Sequence, residues 1–221
     1  MKRMLAMVAA LALALPVQAA PPRGVLANPP GRWAPRDECA RLPGAAAFRA
    51  RLAGVIAGRD AAGLAALSTP DVLLDFGGTT GRTELRRKLA GNEGPKFWRE
   101  LDAIVRLGCG KGDGQAIMMP WFANEDLGEL EGQNIMLVAG ANVPLYEVAD
   151  AKSNVLYRMS WQLVDMPGDW REGDKFQQVN LVGMRRRGYV ETALLRSQMG
   201  YRISAARERG VWLINAFVAG D

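Results

Sequence analysis

Histidine is absent from this 221-residue chain, and its absence excludes several kinds of chemistry at once. Histidine is the commonest metal ligand and general base, and it completes the usual serine and cysteine triads. A zinc site on the two cysteines would need two carboxylate ligands, which is an unusual set. We therefore predict no catalytic residue, no metal site and no cofactor. Acid–base chemistry by Asp, Glu, Lys or Tyr is disfavoured without being excluded, so enzyme activity stays an open question.

Cysteine is scarce, with Cys39 and Cys109 as the only two. An even pair in an oxidising compartment predicts a disulfide. The bond closes a loop of about 70 residues, for which chain entropy gives a stabilisation of roughly 4 kcal/mol. No Cys-x-x-Cys spacing supports the alternative of a reactive redox pair.

Long apolar runs are missing except at the start of the chain. Lys2 and Arg3 precede an apolar segment from Met4 to Leu15, and Pro16 and small residues up to Ala19 follow it. This order predicts a signal peptide over residues 1–19, cleaved after Ala19. About a dozen apolar residues are too few to cross a bilayer as a helix, so we expect no membrane span. The predicted location is periplasmic or secreted.

An excess of one charge is also lacking. The chain has 28 basic and 23 acidic residues, and loss of Lys2 and Arg3 lowers the net charge from +5 to about +3. This excess is too small to indicate a nucleic-acid partner without a clustered basic stripe. The one tight basic run is Arg185–Arg187. A solvated turn explains it most simply, and an anionic glycan or lipid at the cell envelope is the functional alternative.

Apolar spacing divides the rest of the chain into an α-rich part and a β-rich part. The first part repeats the i, i+4, i+7, i+8 spacing of a helix face, at Phe48, Leu52, Val55 and Ile56 and again at Phe97, Leu101, Ile104 and Val105. Between these helices we predict a short strand over residues 72–76, and after them a glycine-rich loop over 108–114. Beyond residue 134, short β-branched runs alternate with turns, which indicates a small barrel or sandwich.

The predicted fold class is α+β, with a helical N-terminal part on a short sheet, then a small β-barrel and a C-terminal hairpin. The expected units follow the signal peptide in order: an extended leader over 20–43, an α-rich α+β domain over 44–130, the barrel over 134–197 and the hairpin over 198–221.

Residues 136–196 resemble the bacterial SH3-like domain family of exported and envelope proteins. Four segments and the closing leucines carry the resemblance: Asn142-Val143, Ser153-Asn154-Val155-Leu156, Phe176-Gln177-Gln178-Val179, Gly188-Tyr189-Val190 and Leu194-Leu195. The resemblance implies a five-stranded barrel that binds a peptide, an envelope protein or peptidoglycan without catalysis.

Four aromatic residues of this region are the candidate ligand-binding residues: Tyr146, Tyr157, Trp170 and Tyr189. Such side chains suit a groove for peptides or sugar faces, although each could instead belong to the barrel core. We expect Trp170, in a charged loop, to be the exposed member. A third possibility is that the barrel is purely structural and that residues 20–38 fill its groove.

A second resemblance covers residues 45–107 and 201–221 and is to the cone-shaped α+β fold of the nuclear transport factor two superfamily. This resemblance rests on two segments: Asp71–Gly78 with its flanking helices, and Arg207–Ile214 as a closing hairpin. Together the two resemblances imply a barrel inserted before the hairpin. The cone fold also implies an alternative function, a small-molecule-binding or lyase/isomerase-type enzyme with a cavity near Asp75. In that case burial would raise the pKa of Asp75; otherwise Asp75 faces solvent or the Gly77-Gly78 turn.

Overall fold

The fold contains two β-sheets, and one is inserted in the chain between strands of the other. A computed structural model describes residues 28–112, 114–127, 130, 134–171 and 173–220. The predicted signal peptide, residues 1–19, lies outside the described residues. The class is α+β, with four helices and two large mixed or antiparallel sheets in the described part.

The first sheet has six strands in the order β1-β3-β4-β12-β13-β2. Their bounds are β1 Arg36–Asp37, β2 Ser68–Leu73, β3 Gly108–Lys111, β4 Ile117–Met119, β12 Arg202–Glu208 and β13 Val211–Val218. The predicted C-terminal hairpin is present as β12–β13, and it turns at Arg209 and Gly210, both at the positive φ that a tight hairpin turn requires. Because β12 and β13 lie inside the order, the C-terminal hairpin belongs to this first domain.

Four helices cover the first sheet: α1 Ala45–Ala57, α2 Ala61–Ala66, α3 Arg82–Ala90 and α4 Gly94–Arg106. Most residues of the predicted apolar stripes are buried, since Phe48, Leu52 and Ile56 of α1 and Leu101 and Ile104 of α4 are all at most 1% exposed, while Val55 and Val105 are partly buried. They pack in one cluster with the inner side chains of the sheet. The short helix α2 begins at a capping side chain, where Asp60 Oδ1 accepts a hydrogen bond from Gly63 N at 2.8 Å.

The second sheet is inserted between β4 and β12. It has seven strands in the order β11-β5-β8-β9-β10-β6-β7. The bounds are β5 Ile135–Val138, β6 Val143–Tyr146, β7 Val155–Met159, β8 Leu163–Asp165, β9 Phe176–Leu181, β10 Arg187–Glu191 and β11 Leu195–Ser197. Every pair in it is antiparallel. The sheet encloses its own apolar cluster, which includes Val138, Leu145, Val179 and Val190. Among the described residues no pairing joins the end strands β11 and β7, so the predicted closed barrel is not observed.

The two sheets share a third apolar cluster, which fixes them to one another. Leu107, Trp121 and Phe122 come from the first domain, whereas Ile135, Leu137 and Leu163 come from the second sheet. Trp33 of the predicted leader is 2% exposed in this cluster and stacks on Trp121 with ring centroids 5.9 Å apart.

Residues 28–37 form an arm that reaches from the second sheet to the first. The Asn28 amide donates to Leu163 O at 2.9 Å and to Val182 O at 3.1 Å, and its Oδ1 accepts from Leu163 N at 2.8 Å. Further along, Gly31 N donates to Ser160 O and Trp33 N to Trp161 O. The arm ends as β1, which pairs in parallel with β3. Part of the predicted leader is therefore an integral part of the fold.

The predicted cysteine pair is bonded in the structure. Cys39 and Cys109 form a disulfide, and both are fully buried. Cys39 follows β1 and Cys109 lies in β3, so the bond joins the end of the arm to the first sheet beside the β1–β3 ladder.

Two local predictions are wrong. The strand expected over 72–76 is β2, which begins four residues earlier and ends three residues earlier, at Ser68–Leu73. The glycine-rich loop expected over 108–114 begins with strand β3. Glycine is needed there because a Cβ at Gly108 would lie 2.1 Å from Arg36 O, and Gly108 has a φ of +83°. Gly108 is therefore needed so that the backbone of β1 can approach β3 closely, and not to make a flexible loop.

In the described part of the chain, no helix combines the length and the apolar character that crossing a membrane requires.

Candidate functional site

Two of the four predicted ligand-binding residues lie together on the second sheet. Tyr146 of β6 is opposite Tyr189 of β10 in the ladder, so both side chains project on the same face. Tyr146 is 8% exposed and packs edge-on against Phe176, with ring centroids 5.8 Å apart. The Tyr189 hydroxyl accepts a hydrogen bond from Gln178 Nε2 at 3.2 Å. This face is opposite to the sheet's own core, because Val190 of β10 points into that core.

A small depression lies beside this aromatic face. Its volume is about 200 Å³, and Phe176, Gln178 and Tyr189 line it together with Asp169, Arg171 and Asp174 of the loop before β9. The volume is below the range of roughly 300–1,000 Å³ that is usual for small-molecule sites.

Tyr157 and Trp170 lie elsewhere. Tyr157 is opposite Leu145 in the β6–β7 ladder, and a bulge separates this pair from Tyr146. Tyr157 therefore shares the Leu145 face and packs against the sheet's core. Trp170 is 44% exposed, which makes it the exposed member as expected, and it lines a cleft between the two domains. The predicted single groove of four aromatic residues is not formed, because strand alternation and this bulge direct the side chains to three different places.

The interdomain cleft has a volume of about 630 Å³, which is larger than that of the depression beside the aromatic face. Helix α4 forms one wall, and the second sheet with the 3₁₀ turn Thr192–Leu194 forms the other. Trp161 and Trp170 contribute aromatic surface to the second wall, while Ala103 and Leu107 contribute apolar surface to the first. Cavities of this size at a domain boundary are the usual place for a bound small molecule.

Helix α4 carries two acids that are each paired with an arginine from outside the helix, and two exposed arginines. Glu100 forms an ion pair with Arg196 of β11, which links the two walls of the cleft. Asp102 accepts two hydrogen bonds from Arg59, at 2.9 and 2.6 Å, and these lower the pKa of the Asp102 carboxyl. Arg99 and Arg106 line the same cleft and are exposed. Since they are seven residues apart, they lie on one face of the helix.

The cleft can therefore hold a ligand that has an acidic group and a flat or apolar part. Guanidinium groups bind carboxylates and phosphates through paired hydrogen bonds, and tryptophan rings pack on planar or sugar faces. Arg196, which also lines the cleft, is held by Glu100 and by Tyr201 O, and its buried Nε has no hydrogen-bond partner among the described residues.

Sequence reasoning missed most of this cleft. Of the residues that line it, only Trp170 is a candidate from the sequence, and neither Arg99 nor Arg106 is singled out there. The signal in the sequence was the i, i+7 arginine pair opposite the apolar stripe of α4, but which surface that pair faces depends on the inserted sheet.

Asp75 follows β2 on the surface of the first domain. Thr79 is the main cause of its altered pKa, through hydrogen bonds from the side chain and from the backbone N at 3.0 Å, and Lys88 Nζ lies 3.3 Å from Asp75 Oδ2. Together they lower the pKa of Asp75 to about 2. The general-base hypothesis requires a raised pKa, so this environment argues against it. The space between the helices and the first sheet is filled by apolar side chains, including Val72 of β2 and Leu74 just after it.

No three Cys, Asp or Glu side chains cluster as a metal site within the part of the chain that the structure describes.

Comparisons with known proteins show no family for this chain. No protein-family model and no curated protein matches it. Among solved structures, it is similar to a variant of the designed protein Rd1NTF2_05, of the NTF2-like kind, with 12% sequence identity over 80% of this chain and 96% of that chain. The TM-score is 0.30. At that score the likeness carries no argument about fold or function.

Proposed function

We propose that this protein is an exported, non-catalytic binding protein whose ligand occupies the interdomain cleft. The observation that carries the proposal is the cleft itself, about 630 Å³ in volume, with two tryptophans on one wall and two exposed arginines on the other. The proposed aromatic binding surface is therefore at the domain boundary and not on the sheet face, and Trp170 is the predicted ligand-binding residue that belongs to it.

The ligand class that fits is a peptide or a cell-wall fragment that bears a carboxylate. Arg99 and Arg106 supply cations for the acid, while Trp161 and Trp170 supply surfaces for an apolar side chain or a sugar ring. Envelope peptides and peptidoglycan fragments combine both chemical features. Catalysis is no part of the proposal, because the acids that line the cleft, Glu100 and Asp102, are each engaged by an arginine.

The proposal includes an SH3-like fold for the second sheet and a cone-like fold for the first domain. In support of the former, β5 pairs with β11 and β8, β8 to β10 follow as a meander, and the long hairpin β6–β7 lies between β5 and β8 in the chain. In support of the latter, helices cover one sheet that the C-terminal hairpin completes.

Export to the periplasm or outside the cell is also proposed. A buried disulfide supports it, because such bonds persist mainly in oxidising compartments.

The test is a binding titration with muropeptides and with acidic peptides, followed by tryptophan fluorescence and calorimetry. Trp170→Ala and Arg106→Ala should each weaken binding by about tenfold or more, because each removes a side chain from the proposed contact. Arg51→Ala, an exposed arginine on α1, is the matched control and should bind as the unaltered protein does.

Binding that is equally tight in Trp170→Ala, Arg106→Ala and the control would place the ligand elsewhere and refute the cleft. Chemical conversion of the bound fragment by the unaltered protein would refute the non-catalytic assignment.

A further inference from the structure

The tips of two neighbouring hairpins form a surface that the proposed cleft does not use. One tip is residues 147–154, between β6 and β7, and the other is residues 182–186, between β9 and β10. Arg186 connects them, because its Nη1 donates to Leu156 O at 3.2 Å and its guanidinium lies 5.3 Å from the Tyr157 ring. We define the two-hairpin surface by the residues exposed around this contact, namely Val148, Lys152, Val155, Leu156 and Met184–Arg187.

Apolar side chains are exposed at unusual density on the two-hairpin surface. Val148, Val155, Leu156 and Met184 are 54%, 42%, 40% and 46% exposed. They are four of the eight large apolar side chains that are exposed in the described part of the chain. A single exposed apolar residue needs no explanation, but four around two adjacent turns mark a site of interaction.

Basic side chains surround these apolar residues. Arg185, Arg186 and Arg187 are all exposed. The partners of two of them are uncharged, since Arg186 donates to Leu156 O and Arg187 donates to Asn180 Oδ1 at 3.0 Å. Their positive charge is therefore not neutralised by an ion pair with any residue that the structure describes.

The nearby acids are used within the β6–β7 tip. Glu147 accepts a hydrogen bond from Asn154 Nδ2 at 2.9 Å, and Asp150 Oδ1 accepts one from the backbone N of Lys152 at 2.9 Å. Both acids hold the shape of the turn and keep their negative charge, since their partners are uncharged. Lys152 and the three arginines outnumber them and give the surface its positive character.

We propose that the two-hairpin surface docks the protein on an anionic lipid bilayer. Arginines alone would suit any polyanion, including an acidic glycan. The exposed valines, leucine and methionine distinguish the bilayer, because turn tips with apolar side chains can enter the headgroup region while flanking arginines bind lipid phosphates. The bilayer is thus the partner that satisfies both halves of the surface.

The experiment is sedimentation of the full chain with vesicles of phosphatidylcholine alone or mixed with phosphatidylglycerol, at low and high salt. The protein should sediment with the mixed vesicles and release at high salt. Arg185→Ala should weaken partitioning by about fivefold, the usual effect of one basic residue at such a surface. Arg51→Ala, which removes the same charge from α1, should not weaken it.

A second variant separates a bilayer from a soluble polyanion. Met184→Ser should also weaken vesicle binding, whereas Met199→Ser, at a methionine 42% exposed elsewhere, should not. Equal binding to dextran sulfate that Met184→Ser leaves unchanged would overturn the bilayer assignment in favour of an anionic glycan. Absence of sedimentation with the mixed vesicles would overturn it outright. Trp170→Ala should leave vesicle binding intact, so failure of the cleft and failure of this surface are distinguishable.

Discussion

Replacement of Asn28 by alanine should destabilise the whole protein, because its side chain makes three of the hydrogen bonds that fasten the arm to the second sheet. Asn28→Ala removes three hydrogen bonds, two to the carbonyls of Leu163 and Val182 and one from Leu163 N. Leu163 O keeps a bond from Val182 N at 3.3 Å, so Leu163 N and Val182 O are the groups that lose their Asn28 partner, and Leu163 is only 2% exposed to water. A buried polar group left without a partner costs about 1–3 kcal/mol.

These losses overlap because they share one side chain, so we expect a decrease of about 3 kcal/mol in the free energy of unfolding. For a chain of this length such a loss corresponds to a Tm lower by roughly 6–12 °C. Asn28→Asp should cost more than Asn28→Ala, since its carboxylate would face two carbonyl oxygens without an amide donor between them. Urea unfolding followed by circular dichroism, with thermal scans beside it, measures both variants.

The matched control is Asn92→Ala, at an exposed turn between α3 and α4. Its effect should stay within about 0.5 kcal/mol, as is usual for surface positions. If Asn28→Ala lowered stability no more than Asn92→Ala does, the arm would not contribute to the fold in the way that its hydrogen bonds indicate.

Two further predictions concern the disulfide and Asp75. Replacement of both Cys39 and Cys109 by serine should lower the free energy of unfolding by about 4 kcal/mol, because the bond closes a loop with a sequence separation of 70; urea unfolding at equal pH checks it, and a loss below about 1 kcal/mol would contradict it. For Asp75, a pH titration followed by carboxyl-carbon NMR should give a pKa of about 2. Its contribution to stability is then complete above pH 4 and disappears as the pH falls through about 2, because the folded state binds the proton less tightly than the unfolded state. Thr79→Val should raise that pKa more than Lys88→Met does, and only a native value raised well above the ordinary value of 3.8 would restore the general-base hypothesis.

The helices could be predicted because their positions depend on local spacing. Phe48, Leu52 and Ile56 are buried wherever a helix from 45 to 57 packs, and Asp60 caps α2 whatever lies beyond it. Most strands of the inserted sheet were also predictable, because turns at regular intervals separate their β-branched runs.

The remaining features depend on contacts between distant parts of the chain. Strand β1 consists of only Arg36 and Asp37, and it exists because β3 pairs with it more than 70 residues later. No local pattern reveals such a short strand. The sides on which Tyr146 and Tyr157 lie were equally hidden, since one bulge between neighbouring residues decides them. The cleft beside α4 required the packing of two domains, so it could not be inferred from the spacing of Arg99 and Arg106 alone.

The position of the C-terminal hairpin has a consequence for the order of folding. Strands β12 and β13 separate β4 from β2 in the first sheet, so that sheet has no continuous centre until Val218 has been synthesised. The inserted sheet draws all its strands from residues 135–197 and can assemble before the first sheet does. We expect the N-terminal half to remain loosely collapsed until these last strands emerge, while the inserted sheet folds ahead of the domain that surrounds it in the chain.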